Sequence, residues 1–394
     1  MKATQAVLAV AALAAGVWIG RLSLPAAEEP EPADLASFRE ALEDPNWLTR
    51  TARMSAYLEH LSPDELPEAV EALEQRRAWL GPEELRIFML AWARFDAPGA
   101  LERTLTWKGR SRRTAAGAAI YAWAYYAPEA ALEALDSVED AQLRDYLRTR
   151  LVAGWVRSEQ KEGANRYIAS LPDGAQRDSF AGMLARELNE QGSEAVMRWA
   201  EGVPEILPSY KQAAFRKACA ALAASDPELA VRWAAEHRGR DYAAGSAAII
   251  AGRWAEVDPQ ATLEWLLGLP QDEARDRAIA DSFAQWLSFD RASAEAWLKA
   301  TTPAEGLDEA VRVLVRRTNK RGSPEGAIAW ARQIEDPKLR DEVILAVGQA
   351  WLRRDPAAAR SWLAGSELPK PLRTAIQNPN GSPGAGAGED GGGR

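Results

Sequence analysis

Two kinds of side chain recur in this sequence in patterns that suggest binding. The stretch "WAEVDPQATLEWLLGLP", which begins at Trp254, carries two tryptophans eleven residues apart. The stretch "WLSFDRASAEAWLKATTP", which begins 32 residues later at Trp286, carries the same pair. Indole rings are large and mostly apolar, so a regular row of them can bind sugar faces when exposed or fill a core when buried. The regular spacing favours the core.

Two clusters of basic residues are the second pattern. "KGRSRR" spans residues 108–113 and "RRTNKR" spans residues 316–321, in a chain whose formal net charge is −9. Such clusters can bind phosphate-bearing lipid or an acidic partner, and they also occur as solvated loop charge. Both interpretations stay open. The candidate anion-binding residues are Lys108, Arg110, Arg112, Arg113, Arg316, Arg317, Lys320 and Arg321.

The sequence contains few residues of the types that catalyse reactions or bind metals. The single cysteine, Cys219, excludes an intramolecular disulfide and a cysteine-based zinc cluster, and the two histidines, His60 and His237, each stand alone. The sequence has no Gly-rich phosphate loop and no Gly-x-Ser-x-Gly motif. The acidic charge argues against nucleic acid as a partner. We therefore expect no cofactor, no metal site and no enzymatic activity.

The tryptophans follow a repeat of about 32 residues. Taking Trp254 as the first position of a unit, here called the anchor, equivalent positions recur every 31 to 34 residues. The anchors are Trp92, Trp123, Trp155, Leu188, Leu222, Trp254, Trp286, Asn319 and Trp351. A partner tryptophan stands eleven residues after an anchor at Trp199, Trp233, Trp265, Trp297, Trp330 and Trp362. These positions hold twelve of the 16 tryptophans, and we expect those twelve to form the structural core of the repeat.

Each repeat predicts two helices. Asp-Pro pairs five residues after several anchors, as in "VDPQ", place Asp at a helix N-cap and Pro at the first helical position. The short helix that follows carries the partner tryptophan and stops before a proline, because the residue before proline disfavours helix. A longer helix then begins around an Arg-Asp pair and ends at the next anchor. These pairs are Arg144-Asp145, Arg177-Asp178, Arg275-Asp276 and Arg340-Asp341.

One helical hairpin cannot bury its apolar side, whereas stacked hairpins bury a continuous core. We therefore predict an all-α fold, a right-handed α-solenoid of about eight to nine hairpins over residues 37–376. The stretch before Trp92 is helical but off-register, and we expect it to cap the array. From Trp92 to Trp362 the chain resembles the tetratricopeptide and Sel1-like class of helical-hairpin repeats in period, helix pairing and Asp-Pro junctions. The resemblance implies protein–protein interaction on a curved surface, without inherited catalytic residues.

The two ends of the chain differ from the repeat. Residues 6–20 carry no charge and no strongly polar side chain, between Lys2 and Arg21. A helix over residues 4–24 is long enough to cross a bilayer and predicts an N-terminal membrane anchor or a signal segment. The anchor would leave the remainder exported, at the periplasmic or outer side of a bacterial membrane. Residues 25–36 are acidic and Pro-rich and predict a linker, and residues 377–394 predict a disordered Gly-rich tail.

Three functions follow from this organisation. The first is a non-enzymatic scaffold for protein–protein interaction, displayed in the bacterial cell envelope, with envelope proteins as partners. The second is a glycan- or peptidoglycan-binding module, because rows of tryptophan suit sugar faces. The third is an all-α toroid enzyme, which is disfavoured because such toroids need longer repeats or acidic metal motifs.

The apolar segment generates a first prediction. The full-length protein should fractionate with membranes and resist a high-salt wash, because an apolar helix rather than charge holds it. A fragment covering residues 37–376 should remain in the soluble fraction. Intact protein found in the soluble fraction with Glu28 at its N-terminus would show instead that residues 4–24 belong to a cleaved signal.

Overall fold

The computed structural model describes residues 34–301 and 306–378. Within these ranges the chain forms 21 α-helices and two short 3-10 turns, and it contains no strand. The prediction of an all-α chain is therefore confirmed for the residues described. The predicted anchor, most of the predicted linker and nearly all of the predicted tail, at residues 4–24, 25–33 and 379–394, lie outside them. No helix in the described part of the chain is long and apolar enough to cross a membrane.

The chain divides after Leu171 into two compact units. The first unit contains eight α-helices in its described part. They are α1 (Leu35–Glu43), α2 (Trp47–His60), α3 (Leu66–Arg76), α4 (Pro82–Leu105), α5 (Arg110–Tyr126), α6 (Pro128–Ala134), α7 (Ala141–Trp155) and α8 (Lys161–Ser170). Helices α4, α5 and α7 pack side by side in chain order, and α6 packs against α5 and α7. Before them, α1 packs against α2 and α3, and α2 packs against α4.

The second unit begins at Pro172 and is built of pairs of helices. The first helix of each pair is here called the long helix, because it is longer than the second in every pair except α13 and α14, where both have nine residues. The long helices are α9 (Ala175–Gln191), α11 (Pro208–Ser225), α13 (Ser246–Trp254), α15 (Glu273–Phe289), α17 (Asp308–Lys320) and α19 (Pro337–Arg354). The short helices are α10 (Ser193–Gly202), α12 (Pro227–Glu236), α14 (Pro259–Leu267), α16 (Arg291–Thr301), α18 (Pro324–Ala331) and α20 (Pro356–Gly365), and α21 (Lys370–Gln377) ends the unit. Each long helix packs against the next long helix. Each short helix from α10 to α18 packs against the long helix before it and the long helix after it. The unit is therefore built of neighbouring helical pairs, compatible with a helical repeat.

A single residue lies between the long helix and the short helix at Asp226, Asp290 and Asp355. Asp258 also directly precedes its short helix, but three residues of turn separate it from the end of α13 at Trp254. These four junction residues have φ between −146° and −137° and ψ between 82° and 86°. The N–H of the junction residue donates to the carbonyl of the anchor four residues earlier at 2.7–2.9 Å, which closes the long helix. Its carboxylate accepts an amide N–H of the short helix at 2.9–3.1 Å, which caps the short helix.

The first unit repeats this junction twice. Ala127 joins α5 to α6 with φ −143° and ψ 75°. Asp96, with φ −150° and ψ 76°, is the non-helical residue at which α4 bends, and Pro98 follows it. Its carboxylate accepts the N–H of Gly99 at 2.9 Å. The bend in α4 is therefore the same junction between two helical segments, and the repeat extends into the first unit.

The basic residue of the Arg-Asp pairs has a structural role that the spacing alone did not predict. Nε of Arg275 donates to the carbonyl of Leu266 at 3.0 Å, and Nη1 of Arg340 donates to the carbonyl of Ile334 at 3.0 Å. Lys211 stands at the equivalent position in α11 and donates to the carbonyl of Glu201 at 2.5 Å. Each cation thus bonds a carbonyl at or just beyond the C-terminal end of the preceding short helix, where the helix dipole is negative. The long helices themselves begin two or three residues earlier, at Glu273 for α15 and Pro337 for α19.

The repeat tryptophans lie between the long and short helices. The anchor and partner rings of one pair contact each other, with centroids 5.9 Å apart for Trp254 and Trp265 and 5.8 Å apart for Trp286 and Trp297. Trp351 and Trp362 repeat the contact at 5.5 Å. Five of the twelve are buried, at Trp92, Trp155, Trp233, Trp286 and Trp351. The other seven are half-buried, at Trp123, Trp199, Trp254, Trp265, Trp297, Trp330 and Trp362.

The packing of Trp286 generates a stability prediction. Trp286 is 5% exposed, whereas Trp79 in the first unit is 77% exposed. Trp286→Ala should lower the free energy of unfolding by about 3–5 kcal/mol, the usual cost of removing a large buried aromatic side chain. Trp79→Ala, the matched control, should change it by less than about 0.5 kcal/mol. Chemical denaturation followed by circular dichroism measures both.

The damage should also spread. Because Trp286 supports the contact between neighbouring helical pairs, amide exchange in Trp286→Ala should quicken in α13 and α17 as well as in α15. Exchange that quickens in α15 alone, or equal stability of the two variants, would contradict a core role for the ring.

The junction carboxylates generate a pH prediction. Hydrogen bonds from the Ser293 side chain and N–H hold the pKa of Asp290 below its usual 3.8. A carboxylate with a lowered folded-state pKa stabilises the fold above its unfolded pKa, and this stability is lost as pH falls through the folded pKa. The wild-type protein should therefore be more stable than Asp290→Asn near neutral pH, and this difference in stability should disappear as the pH falls below about 3.8. Thermal melts of both proteins across the acidic pH range test this. In a Ser293→Ala background, the difference in melting temperature that Asp290→Asn makes should be smaller.

Candidate functional site

The first predicted basic cluster is partly engaged in contacts within the first unit. Nε of Arg112 donates to the carbonyl of Leu105, the last residue of α4, at 3.0 Å. The guanidinium of Arg113 lies 4.3 Å from the ring centroid of Tyr146. Lys108 is exposed in the connection before α5, and the side chain of Arg110 is outside the described part of the structure. Two of the four cations therefore serve contacts within the first unit.

The second predicted cluster lies at the C-terminal end of α17 and remains open. Arg316, Lys320 and Arg321 are exposed. Arg317 is half-buried and donates to the carbonyl of Ala284 at 3.2 Å. None of the ion pairs among the described residues involves any of the four.

Two further cations extend this cluster, and the sequence reasoning missed them. Arg353 and Arg354 are the last two residues of α19 and are exposed. Nη1 of Arg354 donates to the carbonyl of Asn319 at 3.3 Å, so the ends of α17 and α19 lie together. We call the exposed set the basic end. Its members are Arg316, Lys320, Arg321, Arg353 and Arg354. A register argument could have found it. Arg354 stands one residue before the junction residue Asp355, and Arg321 stands two residues before Ser323, which holds the junction position before α18 with φ −112° and ψ 77°.

A groove crosses the outer surface of α9, α11 and α13 in the second unit. Its larger part has a volume of 840 Å³ and the adjoining part 430 Å³. The two parts share Lys217, Ala220, Arg253 and Glu256. All lining residues belong to the three long helices or to the turn directly after α13, and none belongs to a short helix. The floor is made of small residues, Gly182, Ala220, Ala221, Ala224, Ala248 and Gly252. We call this surface the long-helix groove.

Cations without partners converge in the long-helix groove. A Cβ placed on Gly182 would lie 3.5 Å from Cδ of Lys217 and 3.7 Å from Nη1 of Arg186, which are ordinary contact distances, so both side chains lie over this part of the floor. Neither Arg186 nor Lys217 makes an ion pair with a described residue, whereas Arg253 pairs with Glu256 at 3.2 Å. Asp178 and Glu190 also line the groove. The rim therefore carries both signs of charge over an uncharged floor.

Asn189 gives the groove an unused hydrogen-bond acceptor. Its Nδ2 donates to the carbonyl of Ala221 at 3.2 Å and to Oγ of Ser225 at 3.0 Å, which fixes the amide between α9 and α11. Its Oδ1 is buried and accepts no hydrogen bond from the described residues. A buried acceptor without a donor is costly, so a donor from a bound chain or from water would relieve it.

Exposed apolar side chains recur one residue before the junction. In the second unit these are Val257, 78% exposed, and Phe289, 58% exposed. In the first unit Phe95 and Tyr126 occupy the same position and are also exposed. Aligning the sequence on the junction residue would have revealed the position, whereas aligning it on tryptophan hid it. These residues mark an edge at the C-terminal ends of the long helices.

The cysteine and His237, which could serve covalent or metal chemistry, are buried or packed against other side chains. The thiol of Cys219 is buried, and burial raises its pKa to about 12. His237 packs against Phe215, Trp233 and Tyr242, and its Nδ1 lies 2.9 Å from the carbonyl of Trp233. Among the described residues no group of three or more His, Cys, Asp or Glu side chains could hold a metal ion. The long-helix groove and the basic end are surfaces in the described part of the chain that could hold a ligand without such chemistry.

Comparison with known proteins adds no family to this description. No protein-family model matches the chain, and neither the curated proteins nor the solved structures include a match.

Proposed function

We propose that this chain is a non-enzymatic scaffold that binds other proteins through the long-helix groove of its second unit. The observation that carries the proposal is the groove itself, an open surface across three consecutive long helices with a floor of Gly and Ala and unpaired cations at its rim. Small side chains let a bound backbone approach the helices closely. Repeat proteins present extended surfaces of this kind to their partners.

The lining favours a polypeptide over a small molecule. Small-molecule sites are mostly apolar and enclose their ligand, with a few convergent polar groups. The long-helix groove is instead open, and its rim alternates Arg186, Lys217 and Arg253 with Asp178 and Glu256. A peptide segment with polar side chains and an available backbone fits this surface.

The packing of the tryptophans gives no support to the glycan-binding alternative. A sugar-binding row needs ring faces open to solvent, and all twelve repeat tryptophans are buried or half-buried. Trp47 and Trp79 are the exposed tryptophans of the described chain, and both precede the repeat. We therefore retain protein binding as the proposal.

The proposal includes the finer architecture and the location. The neighbouring helical pairs and the recurring junction support a right-handed α-solenoid of the tetratricopeptide-like class. The apolar stretch at residues 4–24 supports display at the envelope of a bacterial cell by an N-terminal anchor, with envelope proteins as partners.

Site-specific photocrosslinking in native membranes tests the proposal. A photoreactive phenylalanine analogue replaces Ala224, an exposed residue of the groove, in the full-length chain. The matched control carries the same group at Ala235, an exposed alanine of the next helix that lies outside the groove. We expect a discrete protein adduct from the Ala224 position, identified by mass spectrometry, and none from Ala235.

A second variant links the adduct to the groove's chemistry. Arg186→Gln with Lys217→Gln removes the unpaired cations and should weaken the Ala224 adduct several-fold without changing the circular dichroism spectrum. Equal adducts at both positions, or none at Ala224, would contradict the groove as a protein-binding surface.

A further inference from the structure

We propose that the junction edge of the second unit binds an anionic lipid surface. The junction edge comprises the basic end, together with Val257 and Phe289. Cations at this edge would contact lipid phosphates, and the two apolar side chains would enter the interfacial layer. The proposal is independent of the long-helix groove, because it concerns the ends of the helices rather than their outer surface.

Register places the members of the junction edge on one border. Val257, Phe289 and Arg354 each stand one residue before a junction, and Arg321 and Arg353 stand two residues before one. The long helices that carry them, α13, α15, α17 and α19, pack side by side in chain order. The hydrogen bonds from Arg317 to Ala284 and from Arg354 to Asn319 connect the C-terminal parts of α15, α17 and α19. The C-terminal ends of α13 and α15 therefore carry the apolar side chains, and those of α17 and α19, next in the row, carry the basic ones.

Helix stability alone does not explain the basic end. Cations in the last turn of a helix interact favourably with its dipole. Yet α9, α11 and α15 end without any basic residue in the last turn and are as regular as α17 and α19. The five exposed cations also make no ion pair with any described carboxylate, which leaves their charge available to a ligand.

The basic end carries more positive than negative formal charge. Glu325 and Asp355 are the only carboxylates within five residues of any of its five cations in the sequence. Farther along the edge, Asp258 and Asp290 each accept an amide N–H, which does not neutralise a carboxylate, and Glu256 pairs with Arg253. Five cations against two carboxylates leave the basic end locally positive, although the chain as a whole carries a net charge of −9.

The exposed apolar residues favour a lipid surface over an acidic protein. Peripheral membrane contacts combine basic side chains that attract anionic headgroups with apolar side chains that enter the boundary of the acyl region. Phe289 and Val257 supply the apolar part, with 58% and 78% of their surface exposed, and stand at the ends of long helices that pack in the same row as α17 and α19. An acidic protein partner would account for the cations but would not require solvent-facing Phe and Val at the same border.

The native cysteine makes a direct test practical. Cys219 is the only cysteine of the chain and is buried, so an added cysteine can be labelled selectively. Ser288→Cys places an environment-sensitive nitrobenzoxadiazole dye beside Phe289 in the full-length protein. Gln271→Cys places the same dye just before the opposite end of α15 and is the matched control. A helix of this length separates the two positions by about 25 Å.

The labelled proteins are measured on two kinds of vesicle, phosphatidylcholine alone and phosphatidylcholine with phosphatidylglycerol. Residues 4–24 are present on both, so a difference between the vesicles reports headgroup charge alone. We expect the dye at Ser288→Cys to shift to shorter wavelength on phosphatidylglycerol vesicles and to lose the shift in high salt. The dye at Gln271→Cys should not respond.

Two variants assign the shift to the junction edge. Replacing Arg316, Lys320, Arg321, Arg353 and Arg354 together by Gln should abolish the shift, with an unchanged circular dichroism spectrum as the folding control. Phe289→Ser should reduce the shift while leaving its salt dependence in place. The Ala224 photocrosslink should survive in both variants, which separates this proposal from the proposed scaffold function.

Two outcomes would overturn the proposal. One is the absence of a phosphatidylglycerol-dependent shift at Ser288→Cys, or an equal shift at Gln271→Cys. The other is a silent dye on both vesicles combined with a new acidic-protein adduct, obtained from a photocrosslinker at Phe289 in native membranes and lost in the five-residue Gln variant. That second result would assign the junction edge to a protein.

Discussion

The rest of the structure depends on the hydrogen bonding of one residue between two helices. The junction residue gives its N–H to the last turn of the long helix, and in four pairs of the second unit its carboxylate accepts the amide N–H of the third residue of the short helix. At Asp226, Asp290 and Asp355 no other residue lies between the two helices, so the dihedral angles of one residue set the angle between them. Anchor and partner tryptophans meet between the helices in three of the pairs.

The junction also determines which surfaces are left for binding. Tryptophans fill the space between long and short helices, so the outer surface of the long helices can be lined with Gly and Ala without loss of the core. The residue just before the junction cannot turn into that core, which explains why Val257 and Phe289 face solvent. Binding surfaces and core thus occupy separate positions of the same repeat.

Much of the helical layout could be predicted from the sequence, because its causes are local. Asp-Pro caps and the spacing of tryptophans fix helix boundaries within a few residues, as at Asp258 and Asp355. The long-helix groove could not be predicted, since it depends on how Arg186 and Lys217 from different helices converge over Gly182. Part of the basic end could be predicted from the cluster "RRTNKR". That Arg354 belongs to it is seen only from the hydrogen bond that joins Arg354 in α19 to Asn319 in α17. Trp107 was missed because it lies outside the register, although it is buried and donates to Glu74.

The one-residue junction has a consequence for how such a chain can change in length. An added residue within a helix turns everything after it by about 100°, since 3.6 residues make a turn. An insertion at the junction would therefore rotate the short helix and swing its tryptophan out of the core. The connections that lead from a short helix to the next long helix are different, because they already vary, from five residues between Leu267 and Glu273 to nine between Glu236 and Ser246. We therefore expect insertions, whether natural or an engineered reporter domain, to be tolerated in those connections and not at the junction.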